Sequence, residues 1–164
     1  MLWAPIIADF GNALHLGGLK HQLPTRRFST LQYAAPEVLL RGMVYSFPSD
    51  IWSLGVTFAE MEHFEAVVPV SSSSDGDLTQ LHRIWTWCFA VGVSKPQDSL
   101  DVRIRKELES RMAWESLRRR FDGRGFATIG SVHGATFATV VRRCVQLEPA
   151  KRFDGNALLA GHEG

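Results

Sequence analysis

Charge of one sign is missing from this chain: Lys and Arg number 18 against 17 Asp and Glu, leaving +1 over 164 residues. No global field therefore favours nucleic acid or an anionic membrane surface as a partner. Cysteine is nearly missing too, with Cys88 and Cys144 alone, both inside apolar helix-like stretches. That excludes a disulfide framework and a cysteine-rich zinc site, and the two read as small buried hydrophobes in a reducing compartment. The six histidines are scattered, none beside an obvious nucleophile. No apolar run approaches the roughly 20 residues that cross a bilayer. The opening MLWAPIIADF has no basic start and no cleavage pattern, so a secretory leader is not expected. What remains is a soluble, intracellular chain, cytoplasmic or nuclear, whose 45% hydrophobic content suffices for one modest core.

Several segments have readable local structure. Residues 3–8 (WAPIIA) are apolar and stopped by Gly11, which fits a short strand. Residues 11–34 mix Gly17-Gly18, Pro24, charges and hydroxyls without period, and read as a long irregular loop. A short helix is expected from Pro36 (PEVLLR), with Gly42 ending it. A central helix follows over 50–61, capped by Ser49 or Asp50 and apolar on nearly every face, which places it mid-domain. SSSSDGD at 71–77 reads as a low-complexity surface loop. Helical periodicity resumes over 78–91. Along 100–121, Leu100, Ile104, Leu108, Met112, Leu117 and Phe121 share one side. Glu107 with Arg111 and Glu115 with Arg119 form i,i+4 pairs on the other. A helix over 135–147, closed by Pro149, and a last short helix after Asp154 complete a mainly α chain. Trp52, Trp85, Trp87 and Trp114 read as core anchors.

Two basic stretches carry no specific chemistry. RGFATI at 124–129 begins like an RNA-binding strand but lacks the later aromatics that stack bases. Arg118-Arg119-Arg120 reads as a solvated helix end.

Four segments agree with one another: ADFG at 8–11, TLQYAAPEVLL at 30–40, SDIWSLGVTFAEM at 49–61 and LEPAKRF at 147–153. In this order and spacing they resemble the C-terminal lobe of a eukaryotic-type serine/threonine protein kinase, closest to the cyclin-dependent kinase group. The resemblance runs over nearly the whole chain and is thin between 62 and 134. It implies one partial kinase domain over 1–164, with the activation segment at 9–37, the short and central helices at 38–61, and a helical remainder at 78–160. The β-rich N-terminal lobe is not encoded.

The resemblance also implies roles. Asp9 would hold the magnesium that bridges the ATP phosphates, since a hard cation wants an oxygen anion, with Phe10 packed below it and Gly11 permitting the turn. Thr25 stands at the activating phosphothreonine position, where a phosphate would order the loop by pairing with arginines. Thr30 matches the threonine that contacts the catalytic aspartate and lysine. Ala34 replaces the arginine that favours proline after the target residue, and Gln32 replaces a large residue. Glu37 and Arg152 would form a buried ion pair tying the activation segment to the end of the lobe. Asp50 would anchor the catalytic-loop backbone, or act as an N-cap where that loop is lacking.

The glycine-rich loop, the ATP lysine and the His-Arg-Asp loop do not occur in these residues. Phosphoryl transfer is mainly positioning and charge stabilisation, so this chain alone is expected to be inactive and to bind neither ATP nor Mg by itself. Three readings follow: part of a serine/threonine kinase acting on protein substrates, a pseudokinase-like module that docks a regulatory or cyclin-like protein, or a nonfunctional remnant. The greasy central helix is expected to leave an apolar patch that needs a cover.

Overall fold

The computed structural model describes residues 6–14, 29–40, 45–70, 76–93, 98–111 and 135–154. Five helices appear among them: α1 (Pro36–Leu39), α2 (Phe47–His63), α3 (Gly76–Ala90), α4 (Ser99–Arg111) and α5 (Ala135–Cys144). Short 3-10 turns occupy Phe10–Asn12, Leu31–Tyr33 and Pro149–Lys151. No strand occurs among the described residues. Ile6, Ile7 and Ala8, expected in a short strand, are exposed and irregular. A strand needs a neighbouring ladder for its N–H and C=O groups, and none is described here.

α2 is the hub. It packs on α5 and on both the Leu31–Tyr33 and Pro149–Lys151 turns, while α3 bridges α1 and α4. Trp52, Val56 and Ala59 turn inward, and Trp52 meets Trp87 of α3 edge-on at 6.3 Å between ring centroids. That T-shaped geometry suits the ring quadrupoles. Gly55 lets α5 approach: a Cβ there would lie 2.5 Å from Cys144 Cβ and 2.7 Å from Val145 Cγ1. Leu100, Ile104 and Leu108 of α4 are buried as their spacing predicts. Met112, Leu117, Phe121, the Glu115–Arg119 pair, Trp114, the two basic stretches and the helix after Asp154 lie outside the described residues.

Several boundaries differ from expectation. α2 starts three residues before Asp50, with Ser46 as N-cap and the Ser49 hydroxyl accepting the Ser46 N–H at 3.1 Å. Asp50 is therefore a first-turn residue and not the cap. Pro48 fits because the first turn has no intrahelical partner for its missing N–H. At the far end Phe64 adopts φ +55° and donates its N–H to Glu60 O at 2.7 Å, an αL stop without glycine. Gly76 and Asp77 join α3 instead of the preceding loop. α5 ends at Cys144, and Val145 and Leu147 beyond it are buried in the core. α1 ends at Leu39, and Gly42 lies outside the described residues. No described helix is long and apolar enough to cross a membrane.

Candidate functional site

The Asp9-Phe10-Gly11 sequence forms a tight turn. Asp9 sits at φ +62°, ψ +62°, the left-handed region, and Phe10–Asn12 closes with the Ala13 N–H on Phe10 O at 3.0 Å. A non-glycine residue there carries strain of about 1–2 kcal/mol, eased for Asp by its short polar side chain. Asp9 is exposed, as are the residues around it. Phe10 is exposed as well, not packed beneath the aspartate.

A cleft of about 360 Å³ separates this turn from the start of α2. Asp9 and Phe10 line one wall; Tyr45, Ser49, Asp50 and Ser53 line the other. Partial burial pushes the Asp50 carboxyl above the usual range. Among the described residues no group of three or more His, Cys, Asp or Glu side chains converges as a metal site. The donor set therefore does not fit a cation held by protein alone. Mg takes one or two carboxylates and completes its shell with phosphate oxygens and water, so the exposed Asp9 carboxylate is the group here that would suit such an ion.

Downstream, residues 32 and 33 are tied to α2. Thr30 is exposed and precedes the Leu31–Tyr33 turn. Gln32 Nε2 donates to Glu60 Oε1 at 2.5 Å, and the Tyr33 hydroxyl donates to Glu60 Oε2 at 2.9 Å. Glu60 Oε1 also accepts the Val67 N–H at 3.3 Å. The hydrogen bond to this carboxylate holds the Tyr33 hydroxyl protonated, raising it above the ordinary phenol range, with burial and the negative charge adding. Ser53 Oγ donates to Tyr33 O at 2.9 Å, fixing the backbone there. Ala34 is 1% exposed and packs in the core, so this position carries no guanidinium toward a peptide. Thr25 lies outside the described residues.

Glu37 and Arg152, 115 positions apart, meet in the interior. Arg152 NH1 donates to Glu37 Oε1 at 2.6 Å and NH2 to Oε2 at 2.8 Å, a bidentate fork. The same guanidinium donates to the carbonyls of Gln146, Pro48 and Leu147 and stacks 5.0 Å from the Trp52 ring centroid. One side chain thus fastens α1, the start of α2 and the closing segment. The neighbouring residues extend the clamp. Glu148 Oε2 accepts the Ser99 hydroxyl at 2.9 Å and the Leu100 N–H at 3.1 Å, satisfying first-turn donors of α4. Lys151 pairs with Asp98 at 2.5 Å.

Glu60 and Glu148 escaped sequence reasoning. Glu60 sits inside an apolar helix, where an acidic residue normally marks the solvent face. The one available signal was a carboxylate on α2 with donor-bearing Gln32 and Tyr33 nearby in sequence to nothing but a turn.

Comparison with known proteins gives a concordant result. The protein kinase domain family matches residues 5–161. The serine/threonine-protein kinase MAK of Rattus norvegicus and that of Mus musculus are each 41% identical over 93 residues, 56% of this chain and 13% of the relative. The Homo sapiens protein of the same name is 40% identical over the same length. The match thus takes in a small part of each relative's length. A family match over nearly every residue, with the Asp9 turn facing the α2 cleft and the Glu37–Arg152 fork across the fold, has one meaning: the chain belongs to the protein kinase domain family.

Proposed function

We propose that these residues form C-terminal-lobe structure of a serine/threonine protein kinase near the cyclin-dependent group, acting inside the cell on protein substrates. Asp9 serves as its magnesium ligand, Thr25 as its activation-loop phosphosite, and Thr30 as a position facing substrate and catalytic loop, while Ala34 stands at the family's recognition position but is buried. Glu37, Asp50 and Arg152 hold the frame. The observation that carries this reading is the bidentate Glu37–Arg152 fork, because it joins the end of the proposed activation segment to the closing motif, 115 positions away, as the family's pattern expects. ATP and Mg supply the transferable phosphoryl group and its charge neutralisation when bound. The residues present orient one carboxylate toward that site and stabilise the activation segment; alone they transfer no phosphate.

A second reading, a pseudokinase-like docking module, draws support from Gln32 and Ala34. Gln32 occupies Glu60, and Ala34 is buried without a guanidinium. The experiment compares the 164-residue chain with a chimera in which residues 6–154 replace the matching stretch of the rat kinase. The chain alone should leave a protein substrate unlabelled by γ-phosphate. The chimera should label it, and its Asp9→Asn form should lose most of that activity. A chimera that folds yet stays inactive favours the docking module.

A further inference from the structure

Glu60 collects donors from two separate stretches of chain. Gln32 Nε2 reaches Oε1 at 2.5 Å, the Tyr33 hydroxyl reaches Oε2 at 2.9 Å, and the Val67 N–H reaches Oε1 at 3.3 Å. All of these donors are neutral, and they fill most of the roughly four acceptor positions of a carboxylate. Gln32 and Tyr33 are consecutive in the Leu31–Tyr33 turn and take one oxygen each, which fixes the plane of the carboxylate. Val67, which is buried, ties the stretch beyond α2 to the same group.

The linkage reaches Thr30. Tyr33 is held at both ends, its hydroxyl on Glu60 and its carbonyl on Ser53 Oγ at 2.9 Å, about two turns earlier on α2. The Tyr33 N–H in turn donates to Thr30 O at 3.1 Å. Thr30 is exposed and its side chain makes no cap bond to the turn, so this backbone contact directs it.

We infer that Gln32 is a positioning residue: acting through Glu60, it sets the backbone of the Thr30–Tyr33 segment against which a protein substrate lies. The inference rests on the kinase reading and adds to it a role for a residue at which this chain departs from the family's pattern. An amide suits the place because it donates to a carboxylate at every pH. A carboxyl group of the same length does not. Two carboxylates in contact repel until they share a proton, which one of them then holds well above the usual range.

The test measures peptide phosphorylation by the rat-kinase chimera carrying residues 6–154, beside its Gln32→Glu and Gln32→Met forms. At about pH 8, Gln32→Glu should raise the peptide KM about tenfold, with kcat and the KM for ATP changed far less. Toward about pH 6 its KM should return to that of the parent, because the shared proton restores the hydrogen bond. Tyr33, the other titratable group at this carboxylate, keeps its proton throughout, being held above the ordinary phenol range. Gln32→Met, similar in length but without a donor, should raise KM at every pH. Amide hydrogen exchange in the 164-residue chain gives a reading that needs no activity. Protection of the Tyr33 and Val67 amides should fall in Gln32→Glu at the higher pH and recover at the lower. An inactive chimera with that exchange pattern overturns the kinase reading and leaves the Glu60 linkage standing. A pH-independent KM in Gln32→Glu, an effect on kcat alone, or unchanged protection at Val67 overturns the inference.

Discussion

Removing Arg152 should cost the fold more than removing the carboxylate it pairs with. Its guanidinium has no side-chain exposure and Glu37 has 8%. Arg152→Met strands a buried carboxylate and withdraws donors from three carbonyls, those of Gln146, Pro48 and Leu147. Breaking a buried pair costs about 3–5 kcal/mol, and the carbonyls add to it, so about 5 kcal/mol is expected. Glu37→Gln leaves Arg152 its three carbonyl acceptors and returns one amide oxygen, so about 3 kcal/mol is expected. The double variant should cost less than the sum, by about 0.5–3 kcal/mol, since the pair can be lost only once. Urea unfolding followed by helical circular dichroism reads all three. With a slope of about 2 kcal/mol per molar urea, the two single variants should differ in midpoint by about 1 M. Equal midpoints would refute the asymmetry and show that the three carbonyls contribute nothing, and strict additivity in the double variant would show that the pair is not coupled.

Gly55→Ala sets helix propensity, about 1 kcal/mol in favour of alanine, against overpacking of about 1–3 kcal/mol where the new methyl meets Cys144 and Val145. Net destabilisation is expected, and a higher melting temperature for the variant would contradict the close α2–α5 contact. Burial, with Arg83 adding, lowers the His82 pKa below the ordinary value of about 6.5. A folded-state value below the unfolded one means stability is fully present above about pH 6.5 and is lost as pH falls through the folded value. Stability measured from pH 7 to 5 should therefore decline less steeply in His82→Gln; an unchanged slope would remove His82 as the cause. Burial raises the Cys144 thiol to about 11 and the Cys88 thiol further still. Neither should react with a thiol reagent at neutral pH until the chain unfolds, so labelling should track unfolding, and rapid labelling of native protein would contradict the packing.

Which parts of this were legible without coordinates follows from the range of the forces involved. Pro36 announced α1, and the i,i+4 series Leu100, Ile104, Leu108 announced the buried side of α4, because both are set by backbone geometry within a turn. The start of α2 was misplaced for an equally local reason. Ser49 and Asp50 are both good cap residues, but Ser46 takes that place, because Pro48 is tolerated in the first helical turn. Asp101 reads as a helix-start acid for solvent, yet it is fully buried, accepting Trp85 Nε1 at 2.6 Å and facing Arg105 at 3.1 Å. Nothing near it in sequence marks that burial, since the partner indole belongs to another helix.

By itself the sequence determined the helical character, the two buried thiols, and the motif order that places Asp9, Glu37 and Arg152 in one family. Those properties reside in single residues and in spacings of three or four. The tertiary structure decided that Glu60 would gather Gln32, Tyr33 and Val67, and that Glu148 would serve α4. Such a hydrogen bond depends on which distant segments arrive beside a residue, and that is fixed only when the helices pack.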